Sequence, residues 1–253
     1  MRLHLNANSD DIRDAIDEFD KGYHADFFNT RRIAKEYLKD DGVKHSGELA
    51  ESLMNSLINF GAGRRGAPEV KSVEQVEEFL ELDKNHKCFA ALSECGSRLY
   101  GSDYDVADFG ENLLSIIQAT SKDILNNATN VTYPTKALML VTGFMPALDS
   151  QVRSGLRRAG LCGFGGTRFL VPNANGDLEA RKLVALPPIL GKFYRKYSNT
   201  LKEGVAKSRY PHLKDEPGRL LDVMLFMQGR ADEEANPMIQ CDRPRVGDWY
   251  TRN

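Results

Sequence analysis

Thr132-Tyr-Pro-Thr-Lys-Ala-Leu-Met-Leu-Val-Thr-Gly-Phe-Met-Pro-Ala-Leu-Asp-Ser-Gln-Val-Arg-Ser-Gly-Leu-Arg-Arg-Ala-Gly-Leu161 holds two successive helix starts. Pro134 suits the first turn of a short helix and Gly143 its end. Pro146 and the Asp149-Ser150 pair then open a second helix, with the stripe Val152, Leu156 and Ala159 and a stop at Gly160. Each helix start carries an ionisable residue: Lys136 in the first turn of one, Asp149 at the head of the other.

Those positions have chemical consequences. The positive end of a helix dipole disfavours an ammonium, so it favours the neutral, nucleophilic form of a lysine beside it. The same field stabilises a carboxylate. An amine nucleophile and a fixed carboxylate suit displacement at a sugar carbon that develops positive charge. The plainer reading is that an aspartate before a helix caps it, and nothing in the two helix starts alone separates cap from catalyst.

The same residues carry a resemblance. Leu148-Asp149-Ser150-Gln151-Val152, followed by Arg153 and by Arg157-Arg158-Ala159-Gly160-Leu161, resembles the Val-Asp-Thr-His-Val…Arg…Arg-Leu-Gly-Leu segment of the helix-hairpin-helix DNA glycosylases. Thr135-Lys136-Ala137-Leu138-Met139-Leu140 is similar to the Lys-Thr-Ala-Asn-Val-Val segment that follows the hairpin in that superfamily. The resemblance implies that Asp149 is the catalytic carboxylate and Lys136 the Schiff-base nucleophile of a bifunctional member. It departs in two places. Asn130-Val131-Thr132-Tyr133-Pro134 stands where the family has Leu-Pro-Gly-Val-Gly, and the 13 residues from Lys136 to Asp149 are fewer than the family's spacing.

Composition is that of an ordinary globule, 41% hydrophobic and 28% charged over 253 residues, with no apolar run able to span a bilayer. Cys88, Cys95, Cys162 and Cys241 are scattered, so free thiols in a reducing cytoplasm are expected and no iron–sulfur loop. The start, Met1-Arg-Leu-His-Leu-Asn, is not a signal peptide. Charge is divided unevenly. Residues 1–130 hold 15 basic and 24 acidic groups, while residues 131–253 hold 19 and 12. A basic half fits a face that tracks a phosphate backbone; a merely dipolar surface fits too.

Upstream, helices are expected over Ser9–Phe19, Asn29–Leu38, Ser46–Phe60, from Ser72 with a capping box to Gln75, Lys87–Cys95, and Ser102–Ala119. The chain is therefore expected to be mainly all-α, and the resemblance implies a two-lobed helical bundle. It comprises an acidic lobe over 1–130, a basic catalytic half over 131–230 and a polar tail over 231–253, with a small β-hairpin near 168–186 around Asn173-Ala-Asn-Gly176.

Several further residues are candidates for DNA or the base pocket. Tyr133, Thr135, Gln151, Arg153 and Arg157 flank the two helix starts. Arg64 and Arg65 lie in the loop Gly61-Ala-Gly-Arg-Arg-Gly-Ala-Pro68, whose glycines permit close approach to a phosphate, though a solvated loop reads the same. Phe164 and Arg168 could stack on an extruded base, or Phe164 could be core. Lys192, Tyr194 and Arg195 belong to a basic, aromatic helix over Ile189–Lys202. Asp103, Asp105 and Asp108 with Glu111 form an acidic cluster read as a favourable helix start ahead of a metal site. Asp222, inside the apolar helix Gly218–Gly229, needs a buried partner and is a reserve catalytic carboxylate.

The expectation is a DNA glycosylase that extrudes a modified or damaged base from duplex DNA, with a role against modified phage DNA one outcome. It would need no metal, cofactor, membrane or obligate protein partner. The alternatives are a non-catalytic helical DNA- or protein-binding module, and a metal-dependent nuclease or toxin.

Overall fold

The computed structural model describes residues 2–101, 109–164, 168–174, 176–232 and 234–242. The architecture is all-α, and its order follows from where the apolar stripes and caps fall. A short strand β1 (Leu3–Leu5) leads into α1 (Ser9–Glu18), capped by Asn8 in a reciprocal box with Asp11. Then come α2 (Lys21–Tyr37), α3 (Ser46–Asn59), α4 (Val73–Glu81), α5 (Asp83–Gly101) and α6 (Gly110–Ala119). The expected Ser72–Gln75 capping box heads α4. The site helices are α7 (Thr132–Thr142) and α8 (Ser150–Arg158). The long α9 (Leu178–Lys207), α10 (Pro217–Arg230) and β2 (Ile239–Cys241) complete the described chain.

A contiguous apolar core runs through the molecule from Leu3 to Cys241. β1 pairs antiparallel with β2, Leu3 opposite Cys241, so the first residues join the C-terminal elements, and α1 packs on α9 and α10. The two-stranded sheet thus lies at 3–5 and 239–241. The hairpin expected near 168–186 is not formed, because residues from Leu178 onward are the start of α9. Of the polar tail, residues 239–241 are tied down: Gln228, buried on α10, exchanges hydrogen bonds with the backbone of Ile239 at 2.7 and 3.0 Å. Asp103, Asp105 and Asp108, together with Trp249, lie outside the described residues.

The closest helix pair positions the site. α8 and α10 meet with backbone against backbone. A Cβ on Gly155 would fall 2.0 Å from the Leu225 carbonyl oxygen, and one on Gly229 2.0 Å from that of Gln151. Only glycine permits this approach.

Candidate active site

α7 ends where the sequence places its stop. Gly143 adopts φ 64°, the left-handed conformation that lets the last turn close onto the Met139 carbonyl. The chain then reverses through 143–148, all buried, and enters α8 at Asp149. Four backbone groups of this turn have side-chain partners. Phe144 N–H donates to the Thr142 hydroxyl at 3.1 Å, and the Phe144 carbonyl accepts from the Tyr100 phenol at 3.1 Å. Ala147 N–H donates to Asp222 Oδ1 and Leu148 N–H to Thr135 Oγ1, both at 2.9 Å. Gly218 at the head of α10 packs so close to Gly143 that a Cβ there would lie 2.2 Å from its carbonyl oxygen.

The turn delivers Asp149 in an extended conformation, φ −74° and ψ 179°, as the N-cap of α8. Its Oδ1 accepts from Gln151 and Val152 N–H, each at 3.0 Å. Its Oδ2 points the other way, 3.8 Å from Lys136 Nζ. The short spacing between Lys136 and Asp149 is thus absorbed by one helix segment and one tight reversal. The two side chains are 11% and 18% exposed, so both are largely buried.

Lys136 Nζ also donates to the Phe60 carbonyl at 3.1 Å and lies 5.1 Å from the Tyr133 ring centroid and 5.5 Å from that of Phe60. α7 begins at Thr132, two residues before Pro134, so Lys136 sits just past the first turn, where the dipole field has faded. The force on its amine is burial, which pushes its pKa below the ordinary lysine value; Asp149 and Asp222 oppose that push and Arg219 adds to it.

Tyr133 brings the loop Gly61–Pro68 to the same place. Gly61, at φ 100°, passes so near that a Cβ would lie 3.2 Å from the Tyr133 hydroxyl. Burial raises the Tyr133 phenol and Arg64, close by, opposes the rise. Tyr23 of α2 sets its ring edge-on to Phe60 at 4.9 Å. Tyr23 and Phe60 carry no local signal of a site. Tyr23 arrives because α2 starts at Lys21, eight residues ahead of the Asn29 expected from the stripe, and Phe60 because it is the C-cap of α3.

Behind the pair lies buried Asp222. Its Oδ1 holds the turn at Ala147 and its Oδ2 accepts from Arg219 Nη1 at 2.6 Å. Arg219 is enclosed, its Nη2 donating to the Tyr23 carbonyl at 3.1 Å and its guanidinium lying over Phe19 and Phe27 at 4.8 and 5.1 Å. Burial raises the Asp222 carboxyl to about 6, with Arg219 pulling it back.

The remaining sequence candidates divide. Lys136, Asp149, Tyr133 and Arg64 converge, and Arg65 is exposed at the tip of the same loop. Gln151 is half-buried in the first turn of α8, and Arg157 is exposed at its end. Lys192 and Arg168 are exposed. Four readings need correction. Thr135 is fully buried as the latch on Leu148, not a base contact. Arg153 is buried, with Nε donating to the Asp149 carbonyl at 3.3 Å. Phe164 is core, stacked on Phe169 at 5.2 Å. Tyr194 is buried edge-on to Tyr100, the tyrosine that bonds the turn. Arg195, beside it, donates to the Leu99 carbonyl and so is engaged with the end of α5.

Among the described residues, no three His, Cys, Asp or Glu side chains converge as a metal site would require, and no helix is long and apolar enough to cross a membrane. No protein-family model matches the chain, and no curated protein or solved structure does.

Proposed function

We propose that the protein is a DNA glycosylase that cleaves the N-glycosidic bond of an extruded, modified base. The observation that carries the reading is the Lys136–Asp149 pair. One carboxylate oxygen is fixed by the first amides of α8, and the other lies 3.8 Å from a largely buried amine. In this reading Asp149 stabilises the oxocarbenium-like sugar as the base departs. Water or the Lys136 amine then adds to the anomeric carbon. If the amine adds, its ammonium proton passes first through Asp149 Oδ2 to the departing base; the proton freed by addition then passes through Asp149 to the sugar ring oxygen, and ring opening leaves a Schiff base to the sugar. Tyr133 and Tyr23 offer aromatic faces near the pair for a flat base, and Arg64 and Arg65 offer guanidinium groups for flanking phosphates.

The test is a panel of duplex oligonucleotides, each with one modified or damaged base, incubated with the protein in EDTA and scored for abasic sites. The expected result is abasic-site formation on at least one member, and a borohydride-trapped covalent adduct that disappears in Lys136→Ala if the amine is the nucleophile. Cutting that requires a divalent metal would oppose the reading, as would binding without release of any base.

That Asp149 caps α8 also favours a second reading, in which the aspartate is structural and the protein a non-catalytic DNA- or protein-binding module. The cap occupies only Oδ1, and Oδ2 then serves that reading as the counter-charge of the buried Lys136.

A further inference from the structure

Lys136 closes the end of a helix that is not its own. After α3 the Gly61 and Ala62 N–H groups turn back onto the Ile58 and Leu57 carbonyls, both at 2.9 Å. The carbonyl of the C-cap, Phe60, faces Lys136 Nζ instead, which donates to it at 3.1 Å. The last carbonyls of a helix carry partial negative charge and favour a cation beside them. The ring centroids of Phe60 and Tyr133, at 5.5 and 5.1 Å from Nζ, act in the same sense, since a ring face attracts an ammonium more strongly than a neutral amine. Asp149 Oδ2 adds its charge at 3.8 Å. The other charges near the amine, Asp222 and Arg219 of α10, pair with each other at 2.6 Å, and the phenol Tyr23 of α2 lies beyond Phe60. Burial alone works against the ammonium, but a buried charge is kept where it is paired and hydrogen-bonded.

We infer that Lys136 is a fixed ammonium, not the nucleophile: it bridges the end of α3 and Asp149, and water attacks the sugar. Each contact that holds the side chain is one that loss of its proton would weaken. The charge rests on those contacts alone, and its use in the reaction rests on the glycosylase reading. In that reading, heterolysis creates a cationic sugar and a base that leaves with the electron pair of the glycosidic bond. Asp149 offsets the first charge and Lys136 the second. The water oxygen then bonds to the anomeric carbon. The water proton passes through Asp149 to the departed base, so Lys136 keeps its own protons throughout.

The charge is tested without DNA. In wild-type protein made with isotope-labelled lysine, the Lys136 Nζ resonance is identified by its contacts with the Phe60 and Tyr133 ring protons and followed from pH 6 to 10. The ammonium form should persist through pH 8, and an amine already neutral there would overturn the inference. The nucleophile is tested on duplex DNA carrying a preformed abasic site, with borohydride present and the peptides mapped by mass. No adduct is expected on Lys136, and one found there would be equally fatal. Two variants then separate charge from nucleophilicity on the duplex that the wild type cleaves. Lys136→Met should slow base release roughly a hundredfold, and Lys136→Arg, charged but unable to form a Schiff base, should recover about tenfold or more of that loss. Equal loss in both folded variants would contradict a role for the charge; if neither folds, the first two measurements decide. A wild type that releases no base would sink the glycosylase reading instead, with the resonance of Lys136 still judging its charge.

Discussion

Asp149 shows what one residue can do twice. As an N-cap it satisfies two amides, a role that alanine would forfeit at a cost of about 1 kcal/mol and asparagine would keep. As a carboxylate it presents its other oxygen to Lys136. The sequence carries the first role in plain view and the second only through resemblance, because the distance to Lys136 depends on a buried turn. The dipole argument for Lys136 erred for a similar reason: helix starts are read to within a turn, and a shift of two residues removed the field that was invoked. His24 is a residue whose chemistry no pattern announced. It is fully buried, stacked on Tyr210 at 4.0 Å and edge-on to Phe19 at 5.0 Å, with its Nε2 3.2 Å from the Ile16 carbonyl. Burial, helped by Arg219, lowers its pKa to about 4. A depressed histidine favours the fold above its unfolded value near 6.5 and gives up that stability as pH falls toward 4. Asp222, raised to about 6, titrates in part of the same window with the opposite sign, so the informative quantity is a difference between proteins. His24→Phe keeps a ring in the stack. Relative to it, the wild type should lose on the order of 3 kcal/mol between pH 7 and pH 4 in chemical denaturation. Parallel pH profiles would refute the assignment.

At the scale of elements, the caps and stripes were legible and the contacts were not. Ser72 with Gln75, Gly143 and Asp149 bound their helices where local chemistry requires. The segment 168–186 was misread because Asn173-Ala-Asn-Gly176 has the composition of a hairpin turn, whereas Asp177 N-caps α9 and its side chain accepts from Asn173 and Ala174 N–H. α9 also runs through Pro187 and Pro188, which pattern reading treats as a stop. Phe164 and Tyr194 looked like ligand contacts because aromatic residues in basic segments look alike whether they face a base or a core. The α8–α10 contact left only two glycines as its trace. Gly155→Ala should cost about 3 kcal/mol, since its methyl must displace the α10 backbone rather than a flexible side chain. Thermal unfolding measures the loss. A shift no larger than that of Gly101→Ala, where a Cβ meets nothing within 4 Å, would show that the two helices part without penalty.

Across the whole molecule, the two ends of the described chain are joined. β1 pairs with β2, Cys241 N–H donates to the Ala159 carbonyl at 2.7 Å, and α1 lies on α9 and α10. Such long-range ties have no sequence signature. They also mean that the acidic and basic halves read from composition interleave in space: Tyr23 and Phe60 from the first half stand beside Lys136 and Asp149 from the second. In the proposed function, one carboxylate oxygen works beside an amine at the end of a turn whose backbone is bonded by Thr142, Tyr100, Asp222 and Thr135. The most direct measurement compares Asp149→Asn with the wild type for single-turnover base release in EDTA, on the duplex that the wild type cleaves. The variant keeps its cap, so it should fold, with some loss of stability from the unpaired Lys136, while base release falls by roughly a hundredfold or more, as expected for losing a charge that acts on the transition state. Full activity in a folded Asp149→Asn would contradict the account.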